Sequence, residues 1–225
     1  MVVKQDKRIV LSENRKQEFL DGKILSRYSI VYQAVSGHPT RHFGSLHLLS
    51  ETTLGSRSKE QLAFDVDMQL LIIPLIGRIQ IHNATKQHVA DVEEAVLISI
   101  EPGEECTIFN DFENSEVHYM TAGFASHEPA DGIARFSLVP DKLLTLFDDV
   151  SLRGLMKVSI GQWKGRSEGE FIPSTPNTFA WVVQGAFEIA NCLLQKADGL
   201  AVRGSEKIEF EALSNEAIII FVEMV

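Results

Sequence analysis

The chain has 225 residues, 44% hydrophobic and 23% charged, enough for one large or two small buried cores in an ordinary globular protein. Its formal charge of −10, with no run of Lys or Arg, excludes a general nucleic-acid surface, because phosphate contacts draw on clustered cations. The apolar runs at 70–76 and 217–222 are too short to span a bilayer, and the charged first seventeen residues hold no signal-peptide core. The expected location is therefore cytoplasmic, with no membrane partner. The two distant cysteines, Cys106 and Cys192, are expected as free thiols in that compartment.

Taken in chain order, residues 14–25 (NRKQEFLDGKIL) carry the one helix-like spacing and predict a short helix. Beyond it, short apolar or alternating segments recur between turn residues, which is an all-β pattern. A first series of strands is expected at 43–49, 68–75, 78–82, 95–100, 105–110 and 116–124. A second is expected at 143–147, 155–160, 178–183, 186–190, 200–202, 207–212 and 217–222. Pro74 cannot donate to a ladder, so an edge or a bulge is expected there.

The two series match. IIPLIGRIQIHN (72–83) lies over AWVVQGAFEIAN (180–191) without a gap, each an apolar strand, a glycine (Gly77, Gly185) and an alternating strand ending in Asn. Two further segments, EEAVLI with DGLAV and EVHYMTAGF with EAIIIFVEM, follow in the same order. The pattern predicts a duplicated β-domain, 1–135 and 136–225, with the boundary in the Pro- and Gly-punctuated stretch 127–142. Period-2 alternation further predicts Ile79, Ile81, Phe187 and Ile189 inward, and Arg78, Gln80 and Glu188 outward.

On these residues the chain resembles the cupin superfamily, and in detail the pirin-like proteins, which are two-cupin chains. The piece that carries most of the resemblance is 180–224, a strand, Gly, alternating strand, DGLA, a charged strand and a terminal apolar strand. HFGSLHLLSE (42–51) and DMQLLIIPLIG (67–77) are similar to strands of the first barrel, whereas the first forty residues match poorly. The resemblance implies two tandem cupin barrels of the double-stranded β-helix, or jelly-roll, kind.

It also implies where a metal would sit: in the first barrel, on a His-x-His pair followed by a His-x-Glu pair. Those positions fall here on Ala63 and Asp65, and on or near Thr107 and Phe109. A one-residue shift brings in Cys106 but no histidine. Alanine and phenylalanine cannot ligate, and a mononuclear centre needs several imidazole or carboxylate donors. The four positions are therefore expected to line a ligand pocket without metal or other cofactor, Phe109 filling the metal's place. The segment 161–171 of the second half also lacks histidine.

The remaining residues suggest no other chemistry. His38, His42, His47, His82, His88, His118 and His127 have neither i,i+2 nor HExxH spacing and read as surface or satisfied core histidines. Asp65, Asp67 and Gln69 read as a solvated strand start, or with Asp65 as an acceptor in the barrel mouth. Trp163 and Trp181 read as core or interface aromatics. No GxSxG elbow or phosphate loop occurs. The expectation is a non-catalytic module with an unidentified small molecule or protein as partner. The alternative is a metal-dependent, quercetin-type dioxygenase with a rearranged site.

Overall fold

The computed structural model describes residues 6–32, 42–148 and 156–224; of the expected site and histidine positions, only His38 lies outside them. The chain forms two compact units, one of Arg15–Arg135 and one of Phe136–Val225 together with the first fourteen residues. We call them the N and C units.

The strands are, in order, β1 (Asp6–Val10), β2 (Lys16–Leu20), β3 (Ile24–Ile30), β4 (Leu46–Leu54), β5 (Lys59–Ala63), β6 (Met68–Ile76) and β7 (Ile79–His82). They continue as β8 (Gln87–Ala90), β9 (Glu94–Ile100), β10 (Glu105–Phe109), β11 (Val117–Ala125), β12 (Gly132–Arg135), β13 (Lys142–Asp148) and β14 (Met156–Trp163). The last are β15 (Glu168–Phe171), β16 (Asn177–Gln184), β17 (Ala186–Ile189), β18 (Cys192–Gln195), β19 (Gly199–Arg203), β20 (Ile208–Ala212) and β21 (Ala217–Met224).

The N unit pairs a seven-stranded sheet, β12-β9-β6-β11-β4-β3-β2, with a four-stranded sheet, β5-β10-β7-β8. The C unit pairs a six-stranded sheet, β1-β19-β16-β21-β14-β13, with β15-β20-β17-β18. The duplication is therefore strand for strand: β9-β6-β11-β4 repeats as β19-β16-β21-β14, and the small sheets repeat in full. Between the sheets of the N unit lie Leu70, Ile72, Val96, Ile98, Ile79, Ile81 and Ile108. In the C unit the matching space holds Ala180, Val182, Leu200, Val202, Phe187, Ile189 and Phe210.

Gly77 and Gly185 sit at equivalent reversals, between β6 and β7 and between β16 and β17, with φ of +76° and +77°. A side chain is disfavoured there on backbone grounds alone. Ile79, Ile81, Phe187 and Ile189 are buried, while Arg78, Gln80 and Glu188 are half-exposed, as strand alternation requires. A register shift opposite Pro74 on β11, and the end of β6–β9 pairing at Ile72, accommodate the proline inside a central strand. Trp163 joins the C-unit core, and both cysteines are free thiols.

Two expectations are corrected. No α-helix forms over 14–25; a single 3-10 turn at Ser12–Asn14 precedes a hairpin of β2 and β3. Asp21 and Gly22 have φ of 49° and 66°, the left-handed central pair of a β-turn closed by Lys23 N–H donating to the Leu20 carbonyl at 3.0 Å, within the three residues that join the paired Leu20 and Ile24. The second correction concerns the division of the chain: β1 pairs antiparallel with β19, so residues 6–14 belong with the C unit and not with 1–135. Asp198 pins this segment by accepting from Ser12 N–H at 2.7 Å, and Lys7 donates to the Ala190 carbonyl at 2.8 Å.

Candidate functional site

The residues that face the interior from β5 and β10 follow from strand parity. Glu60, Leu62 and, just past β5, Phe64 are buried, as are Cys106, Ile108 and, just past β10, Asn110. Cross-strand pairs link Ile108 with Glu60 and Cys106 with Leu62. Ala63 and Asp65 are exposed, and Thr107 and Phe109 are half-buried on the outer side of the same sheet. Ala63 pairs with Glu105 at one end of the ladder and Phe109 with Lys59 at the other. At 3.3 Å per residue the two ends lie roughly 13 Å apart. The four expected pocket residues are thus not brought together, and Phe109 does not fill the interior; Ile108 does. The expectation was one residue out of register on each strand, and such a slip sends every side chain to the opposite face. Asp65 accepts a hydrogen bond from the buried Tyr32 hydroxyl, and the Tyr32 ring meets Phe64 edge-on at 5.1 Å.

In place of that pocket, the interior of the N unit holds a hydrogen-bonded carboxyl. Glu60 Oε1 accepts from Ser26 Oγ at 2.8 Å and from Thr52 Oγ1 at 3.3 Å, and Glu60 Oε2 accepts from Tyr119 Oη at 2.5 Å. Ser26 and Thr52 hydroxyls are 3.0 Å apart. Burial pushes the Glu60 carboxyl above the ordinary carboxylate value, and the Tyr119, Ser26 and Thr52 hydroxyls oppose the shift. Burial, then the Glu60 charge, raise the Tyr119 phenol well above its usual range, and the same two causes raise Tyr28. The Cys106 thiol is pushed up to about 12 by burial, with Glu60 and Glu104 adding to it. A thiol so raised is a poor nucleophile and a poor metal ligand at neutral pH.

Sequence patterning could have found Glu60. Leu62 and Phe64 mark an apolar period of two, and Glu60 shares it. What obscured it was the absence of an anchoring glycine or turn to fix the parity of this short strand.

Among the described residues, no three His, Cys, Asp or Glu side chains converge so as to hold an ion. The histidines are spread over separate places: the His42 and His47 rings lie tilted at 5.0 Å, His127 pairs with Asp67 at 3.0 Å, and His82 contacts Gln87 at 3.2 Å. His118 is 3.9 Å from Glu51.

A buried carboxyl of the C unit, Glu223 at the end of β21, sits elsewhere: it accepts from Ser174 Oγ at 2.7 Å and lies 3.7 Å from Lys157. The interior of this unit is aromatic, with Phe171 stacked on Phe221 at 4.3 Å and Trp163 edge-on to Phe210 at 4.9 Å. On the outer face of its small sheet, Glu168, Glu170, Glu188, Glu209 and Glu211 surround a shallow depression of about 500 Å³. Lys207 bridges Glu170 and Glu209 there, and Arg166 reaches Glu211 at 3.4 Å.

No family model matches the chain, and no curated protein matches it. Solved structures do. YhhW from Escherichia coli is 14% identical and superposes with a TM-score of 0.82, covering 97% of each chain. A bacterial pirin YhhW from the same organism in complex with nickel(II) gives the same identity and score, covering 97% of this chain and 99% of its own. Quercetin 2,3-dioxygenase from Acinetobacter baumannii is 9% identical with a TM-score of 0.70, covering 98% of this chain and 79% of its own. The likeness is one of fold: an all-β chain of the cupin, or jelly-roll, kind.

Proposed function

We propose that this chain is a pirin-like bicupin acting in the cytoplasm as a non-catalytic module that binds a small molecule or a protein, with no metal in its N-terminal barrel. The observation that supports this reading is the chemistry of the inner faces of β5 and β10. An oxygen-activating mononuclear centre uses imidazole and carboxylate donors with open positions. Leu62, Phe64 and Ile108 offer no donor atom, the Cys106 thiol holds its proton, and the Glu60 carboxyl is already engaged by three hydroxyls. The nickel of the pirin complex and the substrate of the dioxygenase belong to those proteins; a shared barrel does not carry either across, because function resides in the site.

Elemental analysis of protein purified without added metal tests the proposal, followed by oxygen uptake with quercetin after loading with nickel(II) or iron(II). The expected results are metal far below one ion per chain and no quercetin-dependent uptake. One ion per chain with quercetin-dependent uptake, both lost in Cys106→Ala, would overturn it in favour of the dioxygenase alternative. Native mass spectrometry of the same preparation adds a positive readout, since a co-purified small molecule appears as a discrete mass increment.

A further inference from the structure

The inner face of the large N-unit sheet carries a polar row running straight across four strands. Glu18 on β2 is paired with Ser26 on β3, Ser26 with Thr52 on β4, and Thr52 with Tyr119 on β11. Glu60 reaches this row from the opposite sheet and bonds to three of its four members. It is a polar link between two sheets that meet largely through apolar side chains, another being Asn110, just past β10, which donates to the Leu54 carbonyl of β4 at 2.9 Å.

Around Glu60 the titratable groups are Glu18 on β2, Tyr28 on β3, Cys106 on β10 and Tyr119 on β11, with Glu104 beyond Cys106. All are acids. None of its hydrogen bonds comes from a cation. A buried carboxylate without a counter-charge is costly, and a neutral carboxyl avoids that cost.

Counting hydrogens distinguishes the two forms. With the carboxyl neutral, each contact of the chain Thr52–Ser26–Glu60–Tyr119 holds one hydrogen. Glu60 Oε2–H then serves the contact with Tyr119, Thr52 donates to Ser26, and Ser26 donates to Glu60 Oε1. With the carboxyl ionised, the three remaining hydrogens all turn to the carboxylate. The contact between Thr52 and Ser26 then loses its hydrogen, and a charge stands between the sheets. Glu18, with its side chain 25% exposed on the edge strand and paired to Lys16 at 2.6 Å, marks the solvent end of the row.

We propose that Glu60 is a proton-operated latch of the N unit: the neutral carboxyl completes the hydroxyl chain and ties β5 to β3, β4 and β11, and loss of its proton to solvent loosens that tie. The latch is independent of the identity of any ligand. It makes access to the barrel interior a function of pH, opening on the alkaline side.

Cys106 is a built-in reporter, because it is fully buried beside Glu60 and reacts only when the unit opens. In a Cys192→Ser background, its labelling by a disulfide reagent is followed across pH with and without Glu60→Gln, an uncharged isostere. Dividing the two rates cancels the intrinsic thiol chemistry. The expected ratio rises with pH above the ordinary carboxylate range, by up to about tenfold per pH unit for one coupled proton. A ratio that is flat or falls with pH overturns the proposal. A second readout needs no folded glutamine variant: infrared spectroscopy of the wild-type protein in heavy water should show a protonated-carboxyl C=O band at neutral pH. That band should be lost on alkalinisation and displaced in Tyr119→Phe. Its absence at neutral pH overturns the latch whatever the labelling shows.

Discussion

The two barrels share a strand plan and differ in what fills them. Gly77 and Gly185 align β7 with β17, so Ile81 matches Ile189. Ile81 pairs with Ile108 on β10, and Ile189 pairs with Phe210 on β20, which makes Ile108 and Phe210 equivalent. Their next neighbours are Glu60 on β5 and Gly169 on β15. In the N unit a medium-sized aliphatic leaves room for a carboxyl, and hydroxyls gather round it. In the C unit a glycine leaves room for an aromatic ring: a Cβ at Gly169 would meet Phe210 Cζ at 2.3 Å. One cross-strand pair therefore decides whether a carboxyl or an aromatic ring occupies this place on the same scaffold, because close packing lets only one of the two facing residues be large.

The strongest way to break that comparison is Phe210→Ala. The ring meets Trp163, Phe187 and Phe221, so its loss leaves a cavity in an apolar cluster. Urea unfolding should show a loss of about 3–5 kcal/mol, confined to the transition that reports the C unit. A loss below about 1 kcal/mol would mean that the cluster relaxes to fill the hole.

In the N unit the corresponding probe is polar. Tyr119→Phe removes a fully buried donor to Glu60 and should cost about 1–3 kcal/mol, most at high pH, where the carboxylate needs it. The pH dependence has a definite sign. Glu60 is raised above its ordinary value of 4.5 in the folded chain. Below that value both folded and unfolded states hold the proton and the group contributes nothing. Above it the unfolded chain gives up the proton first, so N-unit stability falls with rising pH until the folded value is passed. Glu60→Gln should abolish this fall and gain on wild type as pH rises. A stability that instead climbs through the same interval would show the carboxyl ionised in the fold.

How much of this could be read from the sequence depends on local anchors. The strand–glycine–strand unit was legible because a positive φ favours glycine and alternation then fixes the faces of β7 and β17. The Asp21-Gly22 hairpin carried an equally local signal, but the competing helical spacing of residues 14–25 hid it. The pairing of β1 with β19 has no local signal at all; it joins opposite ends of the chain. The candidate site failed for a smaller reason. β5 and β10 lie beyond loops of unspecified length, so a one-residue error put Ala63, Asp65, Thr107 and Phe109 in the interior and left Glu60 out.

The equivalent turns can be compared directly. Alanine at either glycine meets the backbone penalty of positive φ, about 1–2 kcal/mol. At Gly77 the added Cβ approaches a Val117 methyl at 2.9 Å, a side-chain atom that can turn away. At Gly185 it approaches Ser214 Oγ at 2.2 Å and the Ala217 backbone at 3.1 Å, which cannot. Gly185→Ala should therefore destabilise more than Gly77→Ala in thermal unfolding. Equal losses would mean that the backbone term alone governs both turns.

The smallest expected effect lies on the outer faces of the two small sheets. Across β5, β10 and β7 the N unit places Lys59, Phe109 and Gln80 in one row. The equivalent row across β15, β20 and β17 is Glu168, Glu211 and Glu188, three carboxylates on adjacent strands. Like charges directly opposite one another destabilise a sheet, and Arg166 at 3.4 Å offsets only Glu211. Glu188→Gln removes one end of the repulsion while keeping the length and polarity of the side chain. It should raise C-unit stability by about 0.2–1 kcal/mol at low ionic strength. The gain should shrink as salt shortens the screening length. Gln80→Glu, which puts a carboxylate at the matching N-unit position, should act in the other direction. Gln80 donates to Asp111 Oδ2 at 2.8 Å, and the substitution turns that bond into a contact between two anions. A gain at Glu188→Gln that persists undiminished in high salt would show that packing, and not charge, distinguishes the two faces.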